Sequence, residues 1–206
     1  MLLVFLESGA IAVFVKTPGL SPIKTRLAQT IGQEAAEKFH LFSSSCVEAV
    51  ITETVKTYQK ITPYWAIAEK IGLSYSAWSR FQRIYQGEGS LGERLSAIYD
   101  ELLKKHSFVI FLGADSPQIS LDILTSAIDS MSKFPFVIGR AKDGGFYLFG
   151  GRVAIPKQTW LSVQYSCDQT ATTLIKYLLP LGSIAEVPTL TDVDTYEDLK
   201  EISYAV

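Results

Sequence analysis

Three cations crowd one short stretch of the chain, Lys16-Thr17-Pro18-Gly19-Leu20-Ser21-Pro22-Ile23-Lys24-Thr25-Arg26-Leu27. Ammonium and guanidinium groups in a loop restricted by two prolines can neutralise a polyphosphate. The backbone N–H groups of a helix starting at its end add hydrogen-bond donors. Lys16, Pro18, Lys24, Thr25 and Arg26 are therefore candidate phosphate-binding residues, with a solvated basic loop as the alternative. The P-loop pattern G-x-x-x-x-G-K-[ST] is not met, because no second glycine precedes Lys24.

Carboxylates answer these cations farther along. In Gly113-Ala114-Asp115-Ser116-Pro117, Asp115 emerges where an apolar run ends and can hold Mg²⁺ or Mn²⁺. Magnesium takes only one or two protein carboxylates and leaves its other positions to water and phosphate. A second ligand is expected from Thr191-Asp192-Val193-Asp194-Thr195, where an extended backbone sends Asp192 and Asp194 to one side. Helix capping is the competing role for Asp194, and Asp198 is expected to cap. The glycines of Gly87-Glu88-Gly89-Ser90-Leu91-Gly92-Glu93-Arg94 allow the backbone around Gly89, Leu91 and Gly92 to approach a base, ribose or phosphate. Asp143-Gly144-Gly145 can border a sugar or acceptor, with Asp143 as its base or orienting group, or can simply close a hairpin.

Such residues act together only if strand ends converge. Residues 10–15, 62–68, 108–113, 136–138, 146–149 and 184–187 read as strands. Ala35, Phe39, Phe42, Cys46 and Val50 recur at helical spacing over 33–51, with Cys46 as core filling, and Leu91, Leu95, Ile98 and Leu102 mark a second helix. Ser120 is placed to cap a helix whose inward face is Leu121, Leu124, Ile128 and Met131. Asp168 is expected to cap one carrying Ala171, Leu174, Ile175 and Leu178, and Thr195 with Asp198 has capping-box spacing. This alternation implies an α/β fold over residues 1–206 as one domain, with a mostly parallel sheet covered by helices on both faces. Ligands of such sheets bind at the carboxyl ends of the strands.

Composition narrows the function. Of 206 residues 48% are hydrophobic and 19% charged, enough apolar material for a sizeable core. Nineteen Lys and Arg against 21 Asp and Glu give a net charge of −2, which argues against a coat for nucleic acid or anionic lipid. Cys46 and Cys167 are too few for a disulfide framework or zinc knuckle. His40 and His106 are expected on helix surfaces. The apolar start is interrupted at Glu7-Ser8-Gly9 and lacks a basic leader, so it reads as strand-forming core rather than as a signal or membrane span, with a cytoplasmic setting expected. Trp65 and Trp78 are given no site role, since aromatic residues at ordinary density are more often core than an interface or a sugar platform. Oligomeric state leaves no mark in the sequence.

The segments K-T-P-(x)5-K-T-R-L, G-E-G-S-L-G-E-R-L, F-L-G-A-D-S-P, D-G-G-F-Y-L-F-G and D-V-D-T-Y-E-D-L occur in that order between Ile11 and Leu199. Together they resemble the bacterial glycosyltransferase-like proteins associated with arsenosugar biosynthesis and with radical-SAM/selenium-domain gene clusters. That family lies in the nucleotide-diphospho-sugar transferase superfamily, of GT-A type. The resemblance implies phosphate contacts at Lys16, Lys24 and Arg26, a metal site at Asp115 completed at Asp192, and an acceptor or sugar border at Gly144 and Gly145. It implies a nucleotide sugar or nucleotide and a small-molecule acceptor as partners. The sequence departs from the family pattern at Leu20-Ser21, where Pro-Gly is usual, at Ser90, where aspartate is usual, and at Arg140, which replaces a common proline.

Overall fold

Seven strands build one sheet among residues 8–202, which the computed structural model describes. They are β1 (Gly9–Val15), β2 (Ile61–Ile67), β3 (Gln82–Tyr85), β4 (Phe108–Gly113), β5 (Phe136–Ala141), β6 (Phe146–Gly151) and β7 (Ile184–Leu190). Their spatial order is β3-β2-β1-β4-β6-β5-β7. All pairs are parallel except those made by β6, which runs against both β4 and β5. The apolar residues before Ser8 lie outside the described residues.

Alternation along the strands explains the two-faced core. Ile11, Val13 and Val15 of β1 pack on one face with Val47 and Ile51 of α2 (Gln33–Thr57) and Leu124 and Ile128 of α4 (Leu121–Ser130). Ala10 and Ala12 point the other way, toward Leu95 and Ile98 of α3 (Leu91–Leu103), Trp160 of α5 (Lys157–Ser162) and Leu174 of α6 (Thr170–Leu178). A smaller cluster joins Leu27 of α1 (Thr25–Ile31), Phe39 of α2 and Leu199 of α7 (Tyr196–Glu201). Trp65 and Trp78 are buried, as expected.

Several expectations need correction. The buried face of α2 is Ala36, Phe39, His40, Ser43, Ser44, Val47 and Ile51, so it is turned from the expected stripe and Phe42 is exposed. The reason is polar burial, since His40 faces the interior. Leu91 and Leu121 are exposed, each the first residue of its helix. Asp168 does not cap α6. Its Ala171 N–H instead donates to the Gly144 carbonyl at 2.9 Å, which satisfies that helix end from the neighbouring hairpin. The edge strand β3, the short helices α1 and α5 and two 3₁₀ turns (Lys70–Ser74 and Ser76–Trp78) carry too little periodicity to be read from sequence. Ser120 caps α4, and Thr195 and Asp198 form the capping box of α7.

Candidate nucleotide site

The sheet's order reverses between β1 and β4, with β2 and β3 to one side and β6, β5 and β7 to the other. A crevice at the carboxyl ends of strands at such a reversal is the usual ligand position in doubly wound sheets. Lys16 follows β1 there and Asp115 follows β4. The segment after β7 returns alongside: the Val193 N–H donates to the Asp115 carbonyl at 3.1 Å, and Gln118 Nε2 to the Thr191 carbonyl at 3.0 Å. Asp192 and Asp194 are thereby carried to the mouth of the sheet.

Lys24 sits at the centre. Its Nζ lies 2.9 Å from Asp115 Oδ2 and 3.0 Å from Asp194 Oδ1, and its side chain is 3% exposed. Its backbone is left-handed, φ 48°, just before α1. That conformation costs roughly 1–2 kcal/mol for a non-glycine residue, a cost the two ion pairs can offset. Burial disfavours the ammonium, but Asp115, Asp192 and Asp194 outweigh it and raise its pKa. Burial also pushes Asp115 up, and Lys24 and His40 reverse this, holding its carboxyl well below the usual range. Asp192 moves the other way. Burial and then the charge of Asp115, with smaller pushes from Asp194 and Asp143, overcome the pull of Lys24 and raise its carboxyl to about 7. The hydrogen bond it accepts from Ser116 Oγ is long, 3.4 Å.

One ammonium facing three carboxylates leaves the cluster with excess negative charge, and hard oxygen donors suit Mg²⁺ or Mn²⁺. Among the described residues no three His, Cys, Asp or Glu side chains form a metal cage, and Lys24 Nζ stands between Asp115 and Asp194. The residues therefore fit an ion taken on Asp115 and Asp192 and completed by phosphate and water, rather than an all-protein site. Asp194 is spent on Lys24, not on capping.

Two cavities open here. The first, about 700 Å³, is lined by Lys16, Lys24, Thr25, Arg26, Gly89 and Leu91 among others. The second, about 580 Å³, shares Phe14, Arg26, Leu91, Ser166 and Asp194 with it and takes in Asp143, Gly145 and Asp192. Pro18, Gly92 and Gly144 line neither. Gly92 is instead a packing residue, where a Cβ would come within 2.7 Å of the Trp160 carbonyl oxygen. Gly144, at φ 89°, turns the β5–β6 hairpin against the Asp168 backbone, which a Cβ would overlap. Lys16 closes its own loop, Nζ donating to the Pro22 carbonyl at 3.2 Å.

Sequence reasoning missed His40 and Arg94. His40 is buried on α2, its Nδ1 3.3 Å from Asp115 Oδ1 and its Nε2 3.0 Å from the Lys16 carbonyl, so it ties the first loop to the aspartate. A signal was present: His40, Ser43 and Ser44 share the helical stripe of Ala36, Val47 and Ile51, and polar residues on an inward face need partners. Arg94 lines the first cavity and donates from Nε to the Gly89 carbonyl at 3.0 Å. Ser90, where the resemblance implies aspartate, is the N-cap of α3 in a capping box with Glu93, and Ser-x-x-Glu is the signature of that motif.

The architecture is that of the nucleotide-diphospho-sugar transferase-like fold. The chain is similar to a protein from Desulfovibrio desulfuricans G20 provisionally assigned as a nucleotide-diphospho-sugar transferase, at 21% identity and TM-score 0.78, over 94% of this chain and 85% of that one. It is similar to CMP:2-keto-3-deoxy-manno-octonic acid synthetase complexed with CTP, at 12% identity and TM-score 0.54, over 95% and 96%. It is also similar to the manganese complex of Rv0371c from Mycobacterium tuberculosis H37Rv, at 12% identity and TM-score 0.56, over 95% and 97%. No curated protein matches the sequence. Residues 47–167 match the family described as uncharacterized protein conserved in bacteria, DUF2064, and the chain belongs to that family.

Proposed function

We propose that this protein is a transferase that holds the diphosphate of a nucleotide sugar in the first cavity and passes the glycosyl group to a small acceptor in the second. The observation that carries the reading is the buried Lys24 side chain paired with the partly exposed Asp115 and Asp194 in a cleft lined by Lys16, Arg26 and Arg94. Lys24 and Arg26 would supply fixed positive charge to the departing nucleoside diphosphate, the preorganised electrostatics on which such transfers depend. Phosphate entry would draw part of the Lys24 ammonium away from its carboxylates. His40 would keep Asp115 and the first loop in register. Asp115 and Asp192 would hold Mg²⁺ or Mn²⁺, whose charge offsets that developing on the leaving group. Asp143, exposed at the hairpin, would orient the acceptor hydroxyl or take its proton.

The arsenosugar and radical-SAM/selenium-domain association of the resembling family belongs to this proposal, as does the reading of the whole chain as one catalytic domain. A second reading draws on the CTP complex of a similar fold. In it a phosphorylated acceptor attacks the α-phosphate of a nucleoside triphosphate and pyrophosphate leaves. Thermal unfolding against nucleoside diphosphates, their sugar conjugates and triphosphates, with and without Mg²⁺ or Mn²⁺, separates the two. A ligand at 100 times its Kd adds about 2.7 kcal/mol, a shift of roughly 5–10 °C for a chain of this size. A metal-dependent shift with one diphosphate or its sugar, lost in Asp115→Ala and Lys24→Met, is expected. Preference for a triphosphate promotes the second reading, and no shift with any nucleotide leaves a non-catalytic relative.

A further inference from the structure

We propose that the second cavity takes a non-phosphorylated acceptor, a small hydroxyl compound with an apolar face and a neutral or positive charge. The inference rests on the transferase reading and narrows its acceptor. The two adjoining cavities differ in charge. The first sets Lys16, Lys24, Arg26 and Arg94 against Asp115 and Asp194. The second sets Asp143, Asp168 and Asp192 against Arg26, which stands at the border the two share, while its Asp194 is already paired with Lys24. Lys142, next in sequence to Asp143, is turned away to Glu201 at 2.7 Å. A phosphomonoester brings nearly two negative charges at neutral pH and needs Lys, Arg or a helix N-terminus to receive it. Carboxylates around the same space repel it, whereas they accept hydrogen bonds from hydroxyl and ammonium groups.

The remaining walls supply the apolar half. Phe14, Phe146 and Tyr165 are only partly buried and line the cavity with Leu95 and Phe111. Phe14 is braced edge-on against Phe111 at 4.9 Å, and Tyr165 is fixed by donating its hydroxyl to the Trp160 carbonyl at 3.0 Å. The wall beyond Tyr165 turns at Ser166, left-handed at φ 58°, and is held where Thr170 Oγ1 donates to the Gln164 carbonyl at 3.0 Å. Rigid apolar walls with a few polar groups at one end are the usual form of a small-molecule site. Asp143 is anchored by one oxygen, which accepts the Gly145 N–H at 2.9 Å, and its other oxygen remains for the acceptor.

The test is calorimetric titration of the full chain with phenyl β-glucoside, tyramine and phenyl β-glucoside 6-phosphate. The first cavity is saturated beforehand with the best-binding nucleoside diphosphate or, if none binds, with inorganic pyrophosphate. The two probes without phosphate are expected to bind at least about tenfold more tightly than the third, a gap of ~1.4 kcal/mol. Asp168→Lys, at an exposed position, is expected to narrow that gap by about threefold through tighter binding of the phosphate. Equal affinities, a preference for the phosphorylated probe, or an unchanged gap in Asp168→Lys overturns the inference. Failure of every nucleotide to bind overturns the transferase reading instead, and is read in the saturating titration before any probe is added.

Discussion

At the scale of single residues, the site is a problem of uneven charge. Asp115 and Asp192 are the same residue type and feel each other's charge, yet their carboxyls are driven in opposite directions. Asp115 owns Lys24 and His40, while Asp192 is left with burial and the field of its neighbours. The consequence for stability follows from linkage. A carboxyl lowered on folding stabilises above its unfolded pKa, near 3.9, and that stability is lost only as pH falls through the lower folded value. A carboxyl raised to about 7, as in Asp192, makes the folded state bind the proton more tightly, so stability falls as pH rises from about 4 through 7. With metal removed by EDTA, Asp192→Asn is expected to gain roughly 1–2 kcal/mol over the natural chain between pH 5 and pH 8, after allowance for solvent screening. Urea midpoints across that range measure it, and a pH-independent difference contradicts the assignment.

At the scale of elements, loops at the carboxyl edge are positioned by contacts that no single element contains. The β5–β6 hairpin carries Asp143, and its tip is pressed against the segment leading into α6, where the Gly144 carbonyl receives the Ala171 N–H. Replacing Gly144 by Ala asks a side chain to adopt φ 89° and to enter space held by the Asp168 backbone. The substitution is expected to cost roughly 1–3 kcal/mol. Gly145→Ala, whose added Cβ meets only the Asp143 carboxylate at 3.1 Å, is expected to cost less. Chemical denaturation of the two variants decides whether the D-G-G turn is held by backbone packing. Equal effects would mean that the hairpin tip is free to shift.

For the whole molecule, the two helical layers protect the middle of the sheet far better than its mouth. Every residue of β1 except Phe14 is buried, and β4 is buried through Leu112. Lys16, Gly19 and Leu20 just beyond β1 are exposed. Native-state hydrogen exchange is therefore expected to be slowest at the amides of β1 and β4 and to approach global unfolding there, with residues 16–24 exchanging through local opening. Protection of the 16–24 loop as strong as that of β1 would refute this picture of a rigid floor beneath a looser, ligand-ready rim. No helix among the described residues is long and apolar enough to cross a membrane.

What the sequence determined by itself was local. Runs of apolar residues marked six of the strands, Ser120 and Thr195 announced helix starts, and the placement of Asp115 and Asp192 after strands pointed to one edge of the sheet. These features survive translation into three dimensions because period and capping depend on near neighbours. Tertiary structure alone decided that Lys24 pairs with Asp194, 170 residues away, that His40 turns inward to Asp115, that Gly92 serves packing against Trp160, and that β6 inserts antiparallel beside β4. Each of these depends on which distant groups burial brings together, and the free energy of an ion pair or a close backbone approach resides in that meeting rather than in either partner.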